Sequence, residues 1–386
     1  MSTRKEKEEQ PVLAICYDFD KTLSPDDMQA QGYIQKVYGD DVQSFWKESN
    51  ALAEDNEMDS NLAYMFKMKE EAEGKELFTR KKLEDYGSRV SLFPGVSEWF
   101  ERIREFGKIK GVIVEHYIIS SGLKEMIEGT AVAKAGAFEK IYASSFFYNK
   151  KGVAIWPAQV INYTNKTQFL FRIEKGVLDI NDYGVNDYFA PEDIRVPFRN
   201  IVYIGDSDTD IPCMKLVNTY GGHSIGVYNE KNDKSKVYKM MRENRIKYFA
   251  PADYTDGSEI DIIVKSIINR TASNELLESI HYKCKEEQET IDSEINQDKI
   301  KLEKLGLIMS LESSGNFFTT HRLIEKLVKY QSWSEDEIQM LIDAALNNTQ
   351  VRYIINDPDV KSFYKKVLAS SSTQNNNSKE LKELFE

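Results

Sequence analysis

The stretch LAICYDFDKTLSPDD, residues 13–27, runs an apolar segment directly into two carboxylates, Asp18 and Asp20. Residues i and i+2 of a strand point to the same side, so these acids repel each other unless something positive lies between or beyond them. Two further strand-like runs end in loaded turns. GVIVEHYIISSG, residues 111–122, closes on Ser120, Ser121 and Gly122, and NIVYIGDSDTD, residues 200–210, closes on Asp206 and Asp210. In open α/β sheets ligands sit outside the carboxyl ends of the strands, which brings these turns together although they are far apart in the chain. Asp18, Asp20, Asp206 and Asp210 then make a like-charge cluster that a hard divalent cation neutralises best. Carboxylate and carbonyl oxygens with no soft ligand suit Mg2+. With that ion, one carboxylate can attack a phosphorus atom while another handles protons.

The elements that must position these acids are legible in the surrounding pattern. Residues 12–18 read as a buried strand. Ser24 is placed as a helix N-cap, with Pro25 at the first helical position and Asp26 and Asp27 in the first turn. From 25 to about 90 the chain shows helical spacing, with Met28, Tyr33, Ile34 and Val37, then Phe45, Trp46 and Leu52, then Leu62, Met65 and Phe66. LFPGV at 92–96 breaks this block, and Trp99, Phe100, Ile103 and Phe106 continue as one amphipathic helix. Residues 141–164 read as a hairpin-like pair around Lys150–Gly152, 165–175 as a helix, 177–199 as a loop, and 222–228 and 247–249 as further strands, with a helix after DGSE at 256–259. Strand and helix alternate, so the expected class is α/β with a doubly wound parallel sheet.

The last third has a different texture. Cys284, Ile291, Ile295, Leu302 and Leu305 fall near heptad seam positions, interrupted by Gln288 and Asp298. A helix over 274–305 is expected, and such a helix draws its stability from packing. Residues 307–367 are expected to fold back on it as short helices, one announced by the capping box of Ser334 and Glu337, with Phe317, Phe318, Leu323, Leu327 and Trp333 on one face. The polar tail at 368–386 is expected to be disordered.

Among 386 residues, 41% are hydrophobic and 11% aromatic, enough for a real core. The net charge of −12 argues against general nucleic-acid or acidic-membrane binding, while leaving room for a local basic patch. Cys16, Cys213 and Cys284 show no metal-type spacing and read as structural thiols in a reducing compartment. The start, MSTRKEKEEQ, is charged, reads as frayed and has no apolar leader. No window reaches a membrane span. The expected location is cytoplasmic, without a membrane or nucleic-acid partner. His116 and His223 are read as packing residues, Arg80, Lys81 and Lys82 as a solvated helix face, and Phe45, Trp46, Trp99 and Phe100 as core.

DFDKT at 18–22, Ser120 after an apolar strand, Lys166 in NKTQ, and GDSDTD at 205–210 resemble, in order, the four motifs of the haloacid dehalogenase superfamily. The helical block sits where the phosphoserine-phosphatase-like branch carries its helical cap. The resemblance covers about residues 11–270. It implies a core of residues 11–23 and 91–270, a cap of residues 24–90 and a Mg2+ cofactor, and leaves 271–367 as a C-terminal helical module read from its pattern alone. Carried onto these positions, it implies that Asp18 is the nucleophile that becomes an aspartyl-phosphate. Asp20 would be the acid/base and lend its backbone carbonyl to the metal. Thr22, Ser120 and Lys166, with Ser121 and Gly122 of the same turn, would hold the phosphoryl oxygens, Lys175 being an alternative to Lys166. Asp206 would ligate the metal, and Asp210 would ligate or orient a metal water. An acid two residues after the nucleophile marks the phosphatases and phosphomutases of this superfamily rather than its dehalogenases. The expected activity is therefore Mg-dependent hydrolysis of a small phosphomonoester. A phosphotransferase or phosphomutase with the same nucleophile is the alternative among enzymes. A ligand-sensing protein whose residues 271–367 bind a protein partner or self-associate is the alternative outside them.

Overall fold

β1 (Val12–Tyr17) is buried on both faces: Leu13, Ile15 and Tyr17 enter one apolar cluster, and Val12, Ala14 and Cys16 enter another. A strand of period two does this only inside a sheet covered on both sides. The computed structural model, which describes residues 4–231, 234–371 and 376–385, places it there. Among these residues β1 joins β2 (Ile113–Leu123), β3 (Lys140–Tyr148), β4 (Ala154–Gln159), β5 (Ile201–Gly205), β6 (His223–Tyr228) and β7 (Tyr248–Pro251) in a seven-stranded sheet of order β4-β3-β2-β1-β5-β6-β7. The pairings are parallel apart from β3 with β4. Tyr17 lies level with Ile118 of β2 and Ile204 of β5, so the turns that follow these three strands share one edge.

The insertion after β1 carries α1 (Tyr33–Val37), α2 (Val42–Asp55), α3 (Ser60–Ala72) and α4 (Arg80–Gly87). α5 (Val96–Ile109) leads into β2, and α6 (Lys124–Gly129) and α7 (Ala131–Lys134) follow it. α8 (Thr167–Lys175) follows the hairpin, while α9 (Ile211–Thr219) and α10 (Ser235–Arg242) connect the last strands. Trp99 and Phe100 of α5 cover one face of the sheet, and Phe169 and Leu170 of α8 with Cys213 and Met214 of α9 cover the other.

The helix expected from Ser24 does not start there. The Ser24 hydroxyl donates to Asp26 O and accepts from the Gln31 amide. Lys21 Nζ holds both oxygens of Asp27 at 2.8 Å, and the Met28 N–H is taken by Asp20 at 2.8 Å. These contacts of the strand-end loop outweigh the local capping preference. What forms is a short 3-10 turn, Met28–Ala30, before Gly32 (φ 115°) opens α1. The insertion packs directly on the sheet. Tyr33, Phe45, Tyr64 and Met65 share one apolar cluster with Ile118, Leu123 and Phe146 of the sheet. Phe78 O accepts the Ala154 N–H at 2.9 Å beside β4. α4 meets α6 through Gly87 and Gly129, where a Cβ would lie 1.9 Å from Met126 O and 2.1 Å from Glu84 O.

The N-terminal segment is tied down from Arg4 onward, residues 1–3 lying outside the described residues. Arg4 Nε donates to Lys175 O and the Lys5 N–H to Gly176 O. Lys5 and Arg195 close on Glu115 at 2.7 Å. Burial would raise the Glu115 carboxyl, but Arg195 and Lys5 hold it down at about 2. Charge composition hides such anchors because it does not show their partners.

The chain divides into two compact units, residues 1–279 and 280–386. α11 (Glu259–Glu312) runs through the boundary expected at residue 270. In the first unit its Ile260, Val264, Ile267 and Ile268 are buried. The helix does not lie on something along its whole length, as was expected over 274–305: Ile291, Ile295 and Leu302 are exposed. In the second unit Ile308 and Leu311 pack with α12 (Phe317–Leu327), α13 (Glu335–Asn347), α14 (Thr349–Tyr353) and α15 (Pro358–Ser370). Ser334 and Glu337 form the expected capping box. Leu327 is buried, whereas Phe317 and Phe318 are exposed. The tail expected to be disordered forms α16 (Asn376–Glu383), held by the fully buried Leu381; residues 372–375 lie outside the described residues. Cys16 and Cys213 are buried, but Cys284 is exposed and so is not a packing thiol. Among the described residues no helix is long and apolar enough to cross a membrane.

Beneath the central strands runs a buried polar chain. Trp99 Nε1 donates to the Tyr17 hydroxyl at 2.7 Å, Tyr17 donates to His116 Nδ1 at 2.9 Å, and His116 Nε2 donates to Phe100 O at 3.2 Å. Burial, with Arg104 nearby, pushes His116 down to about 3. Burial, with Lys247 and Arg270, pushes His223 down to about 4. Both imidazoles are neutral when folded and titrate near 6.5 when unfolded. Their stability contribution is complete above pH 6.5 and is lost as pH falls toward 4, by about 1.4 kcal/mol per pH unit for each. Nitrogen-15 imidazole spectra at pH 5 should show His116 neutral with its proton on Nε2, and a protonated His116 there would contradict this account.

Candidate active site

The shared edge of β1, β2 and β5 carries the loaded turns, and α8 adds a cation. Asp18 continues β1, its N–H bonded to Ile204 O at 3.0 Å. One of its oxygens accepts the Phe19 N–H at 2.7 Å and the other accepts Lys166 Nζ at 3.0 Å. The same ammonium reaches Asp210 Oδ1 at 2.8 Å. Lys166, at the start of α8, and Asp210 are both fully buried. Asp210 also accepts from the Tyr203 hydroxyl at 2.9 Å and from the Ser207 N–H and hydroxyl. Its seat beside the strand end requires Gly205, where a Cβ would lie 2.5 Å from Asp210 Oδ2. It also stands at the N-terminus of α9, whose dipole favours an anion.

The loop from Asp18 to Ser24 is pinned on several sides. The Tyr254 hydroxyl donates to Thr22 O at 2.8 Å, and the Phe93 N–H donates to Leu23 O at 2.9 Å. Lys21 takes a left-handed backbone, φ 59°. Asp20 Oδ1 is fixed by the Met28 N–H. Across from it, a Cβ on Gly122 would meet Asp20 Oδ2 at 2.9 Å, so the Ser120–Gly122 turn can lie against the acid only with glycine there. Ser120 is buried and its oxygen accepts the Gly122 N–H at 3.1 Å. The hydroxyl oxygens of Thr22 and Ser121 are buried and have no hydrogen-bond partner among the described residues.

The electrostatics separate the acids. Burial first, offset by Lys166 and reinforced by Asp210, raises Asp18 to about 6. Burial, then Asp210 and Asp18, raises Asp206 to about 7. Burial, then Asp27 and Asp18, holds Asp20 well above the usual carboxylate range. Asp210 goes the other way, since Lys166 and its hydrogen bonds overcome burial. One oxygen from each of Asp18, Asp206 and Asp210 lies within 4.8 Å of the others. Three clustered carboxylates, two of them pushed toward their neutral forms and with no soft donor among them, fit a hard divalent cation.

Asp18, Asp20, Lys166, Asp206 and Asp210 therefore meet in one place, and Thr22, Ser120, Ser121 and Gly122 lie in the turns beside them. Lys175 does not join them: its ammonium caps Val185 O and Asp187 O, each at 2.8 Å, in the 177–199 loop. Tyr203 and the Met28 N–H escaped sequence reasoning. Tyr203 looks like any buried strand tyrosine, and a backbone N–H has no sequence signal.

Lys166 is the sole cation in contact with two buried acids among the described residues. Removing one partner of a buried pair leaves an uncompensated charge and costs about 3–5 kcal/mol. Lys166→Met should therefore lower thermal stability sharply. Asp18→Asn removes a carboxylate that burial already disfavours, so its melting temperature without divalent ions should equal or exceed that of the unsubstituted protein. Calorimetry in chelator checks both, and a strongly destabilised Asp18→Asn would contradict the charge balance described above.

The sequence family described as haloacid dehalogenase-like hydrolase matches residues 15–215. An uncharacterized protein of Borreliella burgdorferi is 29% identical over 283 residues, covering 66% of this chain and 95% of its own length. Among solved structures, a HAD family hydrolase of Salmonella enterica has a TM-score of 0.44 at 17% identity over 68% of this chain and 73% of its own. A probable phosphoserine phosphatase of Vibrio cholerae has a TM-score of 0.44 at 13% identity over 69% of this chain and 67% of its own.

Proposed function

The chain belongs to the haloacid dehalogenase-like hydrolase family, and from that premise we propose that it is a Mg2+-dependent phosphatase acting on a small phosphomonoester through an aspartyl-phosphate on Asp18. The observation that carries this reading is the pairing of a lysine-held Asp18 with Asp20 two residues on, whose carboxyl is fixed by Met28 and favours its protonated form. A nucleophile needs to be ionised and a general acid needs to hold a proton: Lys166 opposes the burial that raises Asp18 to about 6, so Asp18 is ionised above that pH, whereas burial, Asp27 and Asp18 hold Asp20 toward its protonated form.

In the first step an Asp18 oxygen forms a bond to phosphorus while the bond from phosphorus to the leaving oxygen breaks, and that oxygen takes the Asp20 proton. In the second step Asp20, now a carboxylate, removes a proton from water. The water oxygen bonds to phosphorus, and the bond from phosphorus to the Asp18 oxygen breaks. Phosphate leaves, and both acids return to their starting states. The hydroxyls of Thr22 and Ser121, which have no partner among the described residues, together with Ser120 and the amides of its turn, are the donors available to phosphoryl oxygens. Lys166 screens Asp18 from Asp210 and from the incoming anion.

Asp18, Asp206 and the Asp20 carbonyl would hold Mg2+, which when bound neutralises charge on the phosphoryl group. Both Asp210 oxygens are engaged by Lys166, Tyr203 and Ser207, which favours an orienting role for Asp210 over direct ligation.

Hydrolysis of p-nitrophenyl phosphate should require Mg2+ and stop in chelator. Asp18→Asn should reduce turnover by roughly a thousandfold or more, and retained turnover would remove Asp18 from this role. In Asp20→Asn, rapid-quench analysis should show phospho-enzyme persisting after leaving-group release, while titration calorimetry finds Mg2+ affinity within about threefold. A variant that loses Mg2+ affinity yet releases phosphate at the normal rate contradicts the assignment.

A further inference from the structure

The start of α3, in the helical insertion, reaches two catalytic turns at once. Asp59 caps the helix: one carboxylate oxygen accepts the N–H groups of Asn61 at 2.9 Å and Leu62 at 3.1 Å. Its other oxygen accepts the Asn162 side-chain amide at 2.6 Å. The Asn61 amide donates to Ile161 O at 2.9 Å. Three residues on, on the same helix face, the buried Tyr64 donates its hydroxyl proton to Ser121 O at 2.7 Å.

These contacts land on the segments that carry chemistry. Asn162 begins the turn that delivers Lys166: its carbonyl accepts the Lys166 N–H at 3.1 Å, and its N–H is held by the Asn165 side chain at 2.9 Å. That turn is closed on itself, and Asp59 and Asn61 hold its first residues from outside, beside Ser144 at Ile161 and the ion pairs of Lys166 at its far end. Ser121 lies between Ser120 and Gly122, the turn packed against Asp20. Ser144 of β3 bridges the two sets, its oxygen accepting the Ile161 N–H at 3.0 Å and its hydroxyl meeting that of Tyr64. A phenylalanine at 64 would fill the same apolar space, so the hydroxyl serves the turn and not the core.

We propose that Asp59, Asn61 and Tyr64 are positioning residues that hold the Ser120–Gly122 turn and the Asn162–Lys166 turn in reactive geometry, making α3 part of the catalytic scaffold and not only a cover. This rests on the phosphatase reading for its effect on turnover, and on hydrogen bonding alone for its effect on the turns.

The test uses the full chain with Tyr64→Phe, Asn61→Ala and, as a control, Phe66→Ala, whose side chain is exposed on the same helix. Two quantities are read: steady-state hydrolysis of p-nitrophenyl phosphate with Mg2+, and amide hydrogen exchange by mass spectrometry. Loss of one such hydrogen bond should lower kcat about three- to tenfold with KM changed less than twofold. Exchange should quicken in peptides covering 120–123 for Tyr64→Phe and 160–167 for Asn61→Ala, with other peptides and the control unchanged. Unaltered exchange in both turns overturns the proposal, as does altered exchange with unaltered kcat. If the unsubstituted protein hydrolyses no phosphate ester, the phosphatase reading fails by itself. Exchange then decides whether α3 orders the turns, and no change there rejects the proposal independently.

Discussion

The site depends on one buried ammonium. Lys166 has no exposed surface, and it contacts Asp18 and Asp210, which without it would be two buried carboxylates facing each other. Much of the surrounding structure follows from that demand. Gly205 admits Asp210 to the strand end, Tyr203 and Ser207 satisfy the rest of its lone pairs, and the Asn162–Asn165 turn delivers the lysine at the required depth. The strongly opposed proton affinities of Asp20 and Asp210 follow from the same arrangement, because the cation reaches one and not the other.

Where strands ended and which residues stood just beyond them was legible in the chain, because a parallel sheet converts order along the sequence into position along one edge. The pairing of Tyr17 with Ile118 and Ile204 does this directly. Lys166 was legible only by its place in the order of motifs, since nothing about NKTQ distinguishes a buried ammonium from a surface one. Tyr64 and Asn61 were not legible at all, because what they bind are backbone carbonyls 57 and 100 residues away, and a carbonyl has no residue identity to read.

Failures elsewhere share this physical origin. Ser24 has every local mark of a helix cap, yet Asp20 and Lys21 take the backbone and side-chain groups a cap would need. Composition made the tail look disordered, although Leu381, with Leu384 and Phe385 beside it, packs α16 on the helical unit. The heptad-like stripe on α11 implied a covering partner, but its central apolar residues face solvent. In each case short-range pattern was sound and tertiary contact, present or absent, decided.

The contact of α4 with α6 carries a mechanical consequence. Helices that touch through glycine on both sides meet backbone to backbone, with no intervening layer of side chains whose rotamers can yield. That seam acts as a stiff pivot. On its other flank α2 and α3 meet the sheet through the side chains of Phe45, Tyr64 and Met65 and through the hydrogen bonds of Asn61 and Tyr64. The insertion is therefore held backbone to backbone at one flank and through side chains at the flank that touches the Ser120–Gly122 and Asn162–Lys166 turns.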